Sequence, residues 1–107
     1  MREYDQEPCY VISIASRMVG VGPHTLRYYE RLGLIQPSRS RGRLRLYSER
    51  DVQRLRQIQR LMNDLGVNLA GVEVIIHMGE RIAEMEQELR RLRSELERLG
   101  QANTGAE

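Results

Sequence analysis

Six apolar residues near the C-terminal end, Ile82, Met85, Leu89, Leu92, Leu96 and Leu99, follow one another at intervals of 3, 4, 3, 4 and 3 residues. This is an unbroken heptad seam. Glu84, Glu86, Glu88, Arg90, Arg91, Arg93, Glu95, Glu97 and Arg98 occupy the remaining faces, with Glu86 and Arg90 spaced for pairing within the helix. At the usual helical rise the seam is about 26 Å long. A lone helix exposing such a stripe is insoluble, so the stripe needs a cover. The cover is either the chain's own preceding domain, with the helix folded back, or a second copy; the segments before it hold enough helices to close their own core, so a second copy is the partner expected. Residues 79–99 are therefore expected to be a coiled-coil dimerisation helix, with those six side chains as its interface. Residues 100–107 are polar after Gly100 and are expected to form a disordered tail.

Charge divides the chain the same way. All 17 basic side chains are arginine, and the formal net charge is +2. Residues 1–60 hold 12 arginines against 6 acids, a net of +6, while residues 61–107 hold 5 against 9, a net of −4. The stretch 17–60 alone has 11 arginines and 3 acids, a net of +8. A basic block beside an acidic helical block points to polyanion binding in the first and another task in the second. Arginine suits two-pronged contacts to phosphate or guanine. Lysine is missing from the acidic half as well, so its absence reflects coding bias, and the placement of the arginines carries the argument.

Several classes are excluded. A chain of 107 residues is one domain's worth of sequence. No apolar run approaches the roughly 20 residues of a bilayer span, and the polar, acidic start is no signal peptide. The single cysteine, Cys9, can form neither an internal disulfide nor a cysteine metal cluster. There is no Walker glycine loop, no metal-ligand spacing, and no nucleophile placed near a base. His77 reads as a helix-end histidine, and Met62 and Met78 as fillers of core gaps. No enzyme, metal or cofactor is expected, and the compartment expected is the cytoplasm.

Along the chain, residues 1–10 read as a flexible arm and residues 11–78 as a domain. Ser13 can cap a short helix from Ile14 to Val19, with Ile14, Ala15 and Met18 inward, stopped by Gly20. Pro23 starts a second helix running to Leu32, closed by Gly33. Two helices joined by a short glycine-containing turn are a helix-turn-helix signature. In the second helix Leu26, Tyr29 and Leu32 can face the core. His24, Arg27, Tyr28 and Arg31 share one exposed stripe at i, i+3, i+4 and i+7. Two guanidiniums, an imidazole and a phenol are the donors and stacking groups that a groove-reading helix requires.

Arg43, Arg45 and Tyr47 then alternate with Leu44 and Leu46, the period of a strand, with Gly42 near a turn. The pattern predicts a two-stranded hairpin. Its four arginines, Arg39, Arg41, Arg43 and Arg45, repel one another until they meet an anion, as a wing gripping phosphates would. Ser48 caps a helix continuing to about Leu65, with Val52, Leu55, Ile58, Met62 and Leu65 inward and Gly66 as its stop. Asn68 caps a shorter helix carrying Leu69, Val72, Ile75 and Ile76. The fold class expected is mainly α, a winged helix-turn-helix followed by the coiled-coil helix.

The run Thr25-Leu26-Arg27-Tyr28-Tyr29-Glu30-Arg31-Leu32-Gly33-Leu34-Ile35, with Pro37, Arg39 and Arg45-Leu46-Tyr47-Ser48, resembles the MerR family of winged-helix transcription regulators. The resemblance extends from about Tyr10 to Met78. Three stretches are similar to the HspR heat-shock repressor branch: Tyr10 to Ala15, Pro23 to Arg27, and Gly66 to Ile75, within which Asn68-Leu69-Ala70-Gly71 is the clearest marker. The resemblance implies a symmetric homodimer, joined by antiparallel C-terminal helices, on double-stranded DNA with an inverted-repeat operator. By position it implies Arg17, His24, Thr25, Arg27 and Tyr28 as helix contacts and Arg43, Arg45 and Ser38 or Arg39 as wing contacts, with Tyr29 in the core. It further implies repression of chaperone genes with the chaperone DnaK as co-repressor. Only eight residues follow Leu99, so no effector domain is expected. The competing readings are a MerR-type activator or small-molecule or metal sensor, and a helical assembly or RNA-binding protein.

Overall fold

The structure is a computed structural model that describes residues 7–105, with side chains as far as residue 102. The order of elements is β1 (Pro8–Val11), α1 (Ile12–Val19), α2 (Pro23–Arg31), β2 (Ser38–Arg39), β3 (Arg45–Ser48), α3 (Glu49–Gln59), a π-helical turn (Arg60–Asp64) and α4 (Leu69–Gly105). The chain divides into two compact units, one reaching Val74 and one starting at Ile75. Among the described residues no helix is long and apolar enough to cross a membrane.

The first unit is built on a three-stranded antiparallel sheet of order β1-β3-β2. The third strand is a departure from the predicted hairpin and from the predicted loose arm. Tyr10 pairs with Tyr47 and Val11 with Leu46, and the Tyr10 hydroxyl donates to Glu49 Oε2 at 2.9 Å. The first six residues of the predicted arm lie outside the described residues. Because β1 runs straight into α1, the helix starts at Ile12 with Val11 at its cap and no side-chain cap, so Ser13 does not have the predicted capping role. The strand also sets the helix's rotation. Ala15, Ser16 and Val19 are buried, whereas Ile14, predicted inward, is exposed.

The alternation predicted for β3 is present, and the structure adds which face turns inward. Tyr47 is fully buried. Arg45, on the same face by alternation, is drawn in beside it because an acid, Glu30, meets its guanidinium. Leu44 is left exposed. At the hairpin tip the residue with positive φ is Arg43, at 67°, and not Gly42. The turn is closed by the Ser40 N–H donating to the Leu44 carbonyl and the Arg43 N–H donating to the Ser40 carbonyl, both at 2.9 Å.

Ser48 caps α3 as the sequence predicts. Its Oγ accepts from the Asp51 N–H at 3.1 Å, and Asp51 Oδ2 accepts from the Ser48 N–H at 2.9 Å, a reciprocal capping box. Val52, Leu55 and Ile58 are buried. Beyond Gln59 the helix widens, and the Leu65 N–H reaches back five residues to the Arg60 carbonyl at 3.2 Å. That extra residue per turn shifts the phase, so Leu65 is 71% exposed rather than inward.

Asn68 opens α4, its Oδ1 accepting from the Gly71 N–H at 2.8 Å. The helix then runs unbroken for 37 residues. The two helices predicted here are therefore one, His77 is an exposed mid-helix residue and not a helix-end residue, and residues 100–105 are helical where a disordered tail was expected. Met78 is exposed, not a core filler. The last two residues of the predicted tail lie outside the described residues.

Candidate nucleic-acid interface

The corner between α1 and α2 is held from within. Gly20 has φ 76°, a left-handed conformation that glycine adopts without steric cost, and its N–H donates to the Ser16 carbonyl at 2.8 Å. The Val21 N–H shares that carbonyl at 3.2 Å, while the buried Ser16 hydroxyl donates to the Val21 carbonyl. Pro23 then occupies the first turn of α2, and the Gly22 carbonyl accepts from the Thr25 and Leu26 N–H groups. Behind the helix Leu26 is fully buried and Tyr29 nearly so, with the Tyr29 hydroxyl donating to Met62 Sδ at 3.8 Å. Burial holds the Tyr29 phenol above its ordinary pKa. After the helix, Leu34 and Ile35 are buried and Arg54 Nη1 donates to the Leu34 carbonyl at 3.2 Å. The helix is thus fixed in rotation by its inner residues and at both ends.

The predicted stripe lies on the opposite side. His24, Arg27, Tyr28 and Arg31 are all exposed, and Thr25 is half-buried next to them. The Arg31 guanidinium carbon sits 5.5 Å from the centroid of the Tyr28 ring, a cation–π pair that stiffens both side chains. The His24 imidazole folds over Gly22, close enough that a Cβ on Gly22 would meet the ring at 2.8 Å. Arg17 is exposed in the last turn of α1.

In the wing the structure separates the arginines. Arg45 Nε donates to Glu30 Oε1 at 2.6 Å, and Arg39 Nη2 donates to Glu30 Oε2 at 3.4 Å. Arg39 Nη1 also donates to the Arg43 carbonyl at 3.2 Å. Arg41 and Arg43 are exposed at the tip, without an acidic partner among the described residues, and Ser38 is exposed at the wing's base. Mutual repulsion of all four arginines is therefore not the state of the free chain, since two of them share the single negative charge of Glu30. The sequence reasoning missed Glu30. A signal was present, because Glu30 is the sole acid among residues 17–48.

The six seam residues of α4 are exposed along one helix face, between 45% and 69% of their surface. Ile75 and Met78 are exposed as well, and they extend the 3-4 spacing to eight residues from Ile75 to Leu99. On the charged faces, Arg81 pairs with Glu84 at 3.4 Å, Arg91 with Glu88 at 2.6 Å and Arg98 with Glu95 at 2.5 Å, each within the helix.

A rigid helix presenting donors and a stacking ring, beside a cation-tipped hairpin, is built to hold a polyanion. Residues 10–78 match the family described as MerR HTH family regulatory protein. The chain belongs to the MerR family. Over 82 residues it is 49% identical to "Putative heat shock protein HspR" of Streptomyces coelicolor, covering 77% of this chain and 54% of that protein, so it spans about half the length of that relative. It is 33% identical over 108 residues to the HTH-type transcriptional regulator GlnR of Bacillus anthracis, covering 90% of this chain and 83% of that one. Among solved structures, HiNmlR, a MerR family regulator lacking the sensor domain and bound to promoter DNA, superposes with a TM-score of 0.59 at 23% identity, over 86% of this chain and 76% of that one. A MerR-family regulator from Bacillus cereus gives a TM-score of 0.59 at 28% identity, over 89% and 75%. The mainly helical fold with a small sheet and a long C-terminal helix is that of MerR regulators.

Proposed function

We propose that this MerR-family protein is a repressor of heat-shock chaperone genes, binding an inverted-repeat operator in double-stranded DNA as a homodimer. The exposed stripe of α2, backed by a fixed core face, carries this reading, and the HspR relative supports the choice of target genes. In it, His24, Thr25, Arg27, Tyr28 and Arg31 with Arg17 face a major groove, and Ser38, Arg39, Arg41, Arg43 and Arg45 supply the wing beside the backbone. The apolar face of α4 takes a second copy. DnaK acts as co-repressor, so the signal is a partner protein and not a small molecule. The protein works in the bacterial cytoplasm at the nucleoid and catalyses no reaction.

The wide match to GlnR favours a second reading, a MerR-type regulator of other genes. Footprinting on genomic DNA separates the two. Protection of an inverted repeat upstream of a chaperone operon supports the first, and protection only elsewhere supports the second. Sequence-blind binding refutes both. If Arg27 reads a base edge, Arg27→Ala weakens operator binding by about 1–3 kcal/mol at fixed salt and relaxes specificity at one position. Tightening of the operator complex by purified DnaK supports co-repression, and an unchanged complex removes DnaK from the reading.

A further inference from the structure

We propose that Glu30 is a positioning residue that presets the wing and decides which of its arginines meet DNA. The inference rests on the reading of the wing as a DNA contact, but its core, the clamp itself, can be tested without DNA. Arg39 and Arg45 stand directly opposite each other in the β2–β3 register. Two like charges in that position destabilise a hairpin. One Glu30 carboxylate takes both, Oε1 from Arg45 and Oε2 from Arg39, and so turns a repulsion into a bridge from α2 to both strands of the wing. The Glu30 and Arg45 side chains are each 25% exposed, so water screens this pair less than an open surface pair. The link extends outward. Through its second terminal nitrogen Arg39 holds the carbonyl of Arg43, the tip residue whose φ of 67° a non-glycine residue rarely adopts.

This divides the wing set proposed above by task, all four arginines lying beside the backbone but two of them engaged by Glu30. Arg39 and Arg45 hold the hairpin against the helix, and Arg41 and Arg43 are left for phosphate. Without Glu30, Arg39 and Arg45 become two loose cations. They add affinity for any DNA, while the tip loses its fixed distance from the α2 stripe. Glu30 gives up raw phosphate affinity for a wing held in one place.

The test uses Glu30→Gln in the full chain. The first readout is amide hydrogen exchange of the free protein. Exchange at Ser40, at Arg43 and at Leu44, whose N–H donates to Ser40 Oγ, should quicken about tenfold, while core amides such as Val72 stay protected and report an intact fold. The second readout is binding to a duplex that the wild-type protein selects from a random library, and to a shuffled duplex of equal length, across a salt series. Affinity for the shuffled duplex should rise, its log–log salt slope should steepen by about one to two, nearly one per freed arginine, and the selected-to-shuffled ratio should fall about tenfold or more. Asp64→Asn makes the same charge change at an exposed site and should move both duplexes by one common factor. Unchanged wing exchange in Glu30→Gln overturns the clamp. A loosened wing with both duplexes shifted alike, as in Asp64→Asn, overturns the role in specificity. If Glu30→Gln also loses core protection, Arg39→Gln cuts only the outer link and must still quicken Arg43 and Leu44. A wild-type protein that selects no duplex defeats the DNA reading, and the exchange result alone then judges the clamp.

Discussion

Leu92 is where the α4 seam can be tested hardest. The eight residues from Ile75 to Leu99 follow intervals of 3, 4, 3, 4, 3, 4 and 3, an order that is the same in either direction. Two antiparallel copies therefore bring Ile75 against Leu99, Met78 against Leu96, Ile82 against Leu92 and Met85 against Leu89, with every apolar residue meeting another. Leu92 is 45% exposed in the single chain. Full burial of a leucine contributes about 1.5–3 kcal/mol, so covering the remainder contributes about 1 kcal/mol per copy and about 2 kcal/mol per dimer. Leu92→Ala loses most of that and should weaken the dimer about tenfold to thirtyfold. Leu92→Arg loses it too and sets a guanidinium against Ile82 of the second copy at two symmetric places. Even with the charged ends reaching for water, this costs about 1 kcal/mol more at each place. The total of about 4 kcal/mol is roughly a thousandfold in the dissociation constant. Sedimentation across a concentration series should rank wild type above Leu92→Ala and far above Leu92→Arg. Cross-linking tests direction. With Cys9→Ser in place, Ile82→Cys together with Leu92→Cys should oxidise to a covalent dimer, and Ile82→Cys alone should not. A Leu92→Arg dimer as tight as wild type, or a cross-link from Ile82→Cys alone, refutes the antiparallel seam.

Three further outcomes test the first unit. Ser48→Ala removes the acceptor for the Asp51 N–H and should cost about 1 kcal/mol, seen as a lower urea midpoint at unchanged slope; no change would mean that α3 draws nothing from its cap. The Tyr47 hydroxyl is buried with no hydrogen-bond partner among the described residues, so Tyr47→Phe should be neutral or stabilising by up to about 1 kcal/mol, and a clear loss on thermal melting would contradict this. Tyr10, through its hydrogen bond to Glu49, and Tyr29 and Tyr47, through burial, hold their phenolic protons above the ordinary value of 10.0. Raised folded values mean stability that is complete below pH 10 and lost as pH rises through them. The melting temperature should therefore fall above pH 10 while absorbance at 295 nm shows a late-ionising group of tyrosines, and simultaneous titration of all tyrosines at the ordinary value would refute the assignment.

What could be read from the sequence was set by neighbours in the chain. Pro23 and Gly33 bracket α2, Ser48 caps α3, Asn68 opens α4, and the stripe of His24, Arg27, Tyr28 and Arg31 is exposed as its spacing requires. What could not be read depended on distant partners. β1 has no apolar period because its identity comes from β3, Tyr10 lying against Tyr47. Tyr47 points inward because β3 is the central strand, and Arg45 follows it because Glu30 supplies the counter-charge. The π-helical turn has no marker in the local sequence, so Leu65 looked like core. α4 passes through Gly79, because a mid-helix glycine costs only about 1 kcal/mol. The change from the buried Val72 and Ile76 to the adjacent Ile75–Met78 face looked like a second helix and is a second face of one.

In the proposed dimer the continuity of α4 would make the seam a ruler. With Ile75 opposite Leu99, the two Ile75 residues of a dimer lie 24 residues apart along the pair, about 36 Å at the helical rise. Two half-sites one turn of DNA apart are separated by about 34–36 Å. A slip by one heptad, pairing Ile82 with Leu99, would stretch that distance to about 46 Å and take Ile75 and Met78 off their leucine partners, matching Met78 with the polar Asn103. Duplicating residues 86–92 keeps the 3-4 spacing and the two-fold pairing while lengthening each helix by about 10 Å. The lengthened protein should still dimerise, and duplexes selected from a random library should carry half-sites about three base pairs further apart, at about 3.4 Å per pair. Selection of the original spacing by the lengthened protein would show that α4 joins the two copies without setting the distance between their DNA contacts.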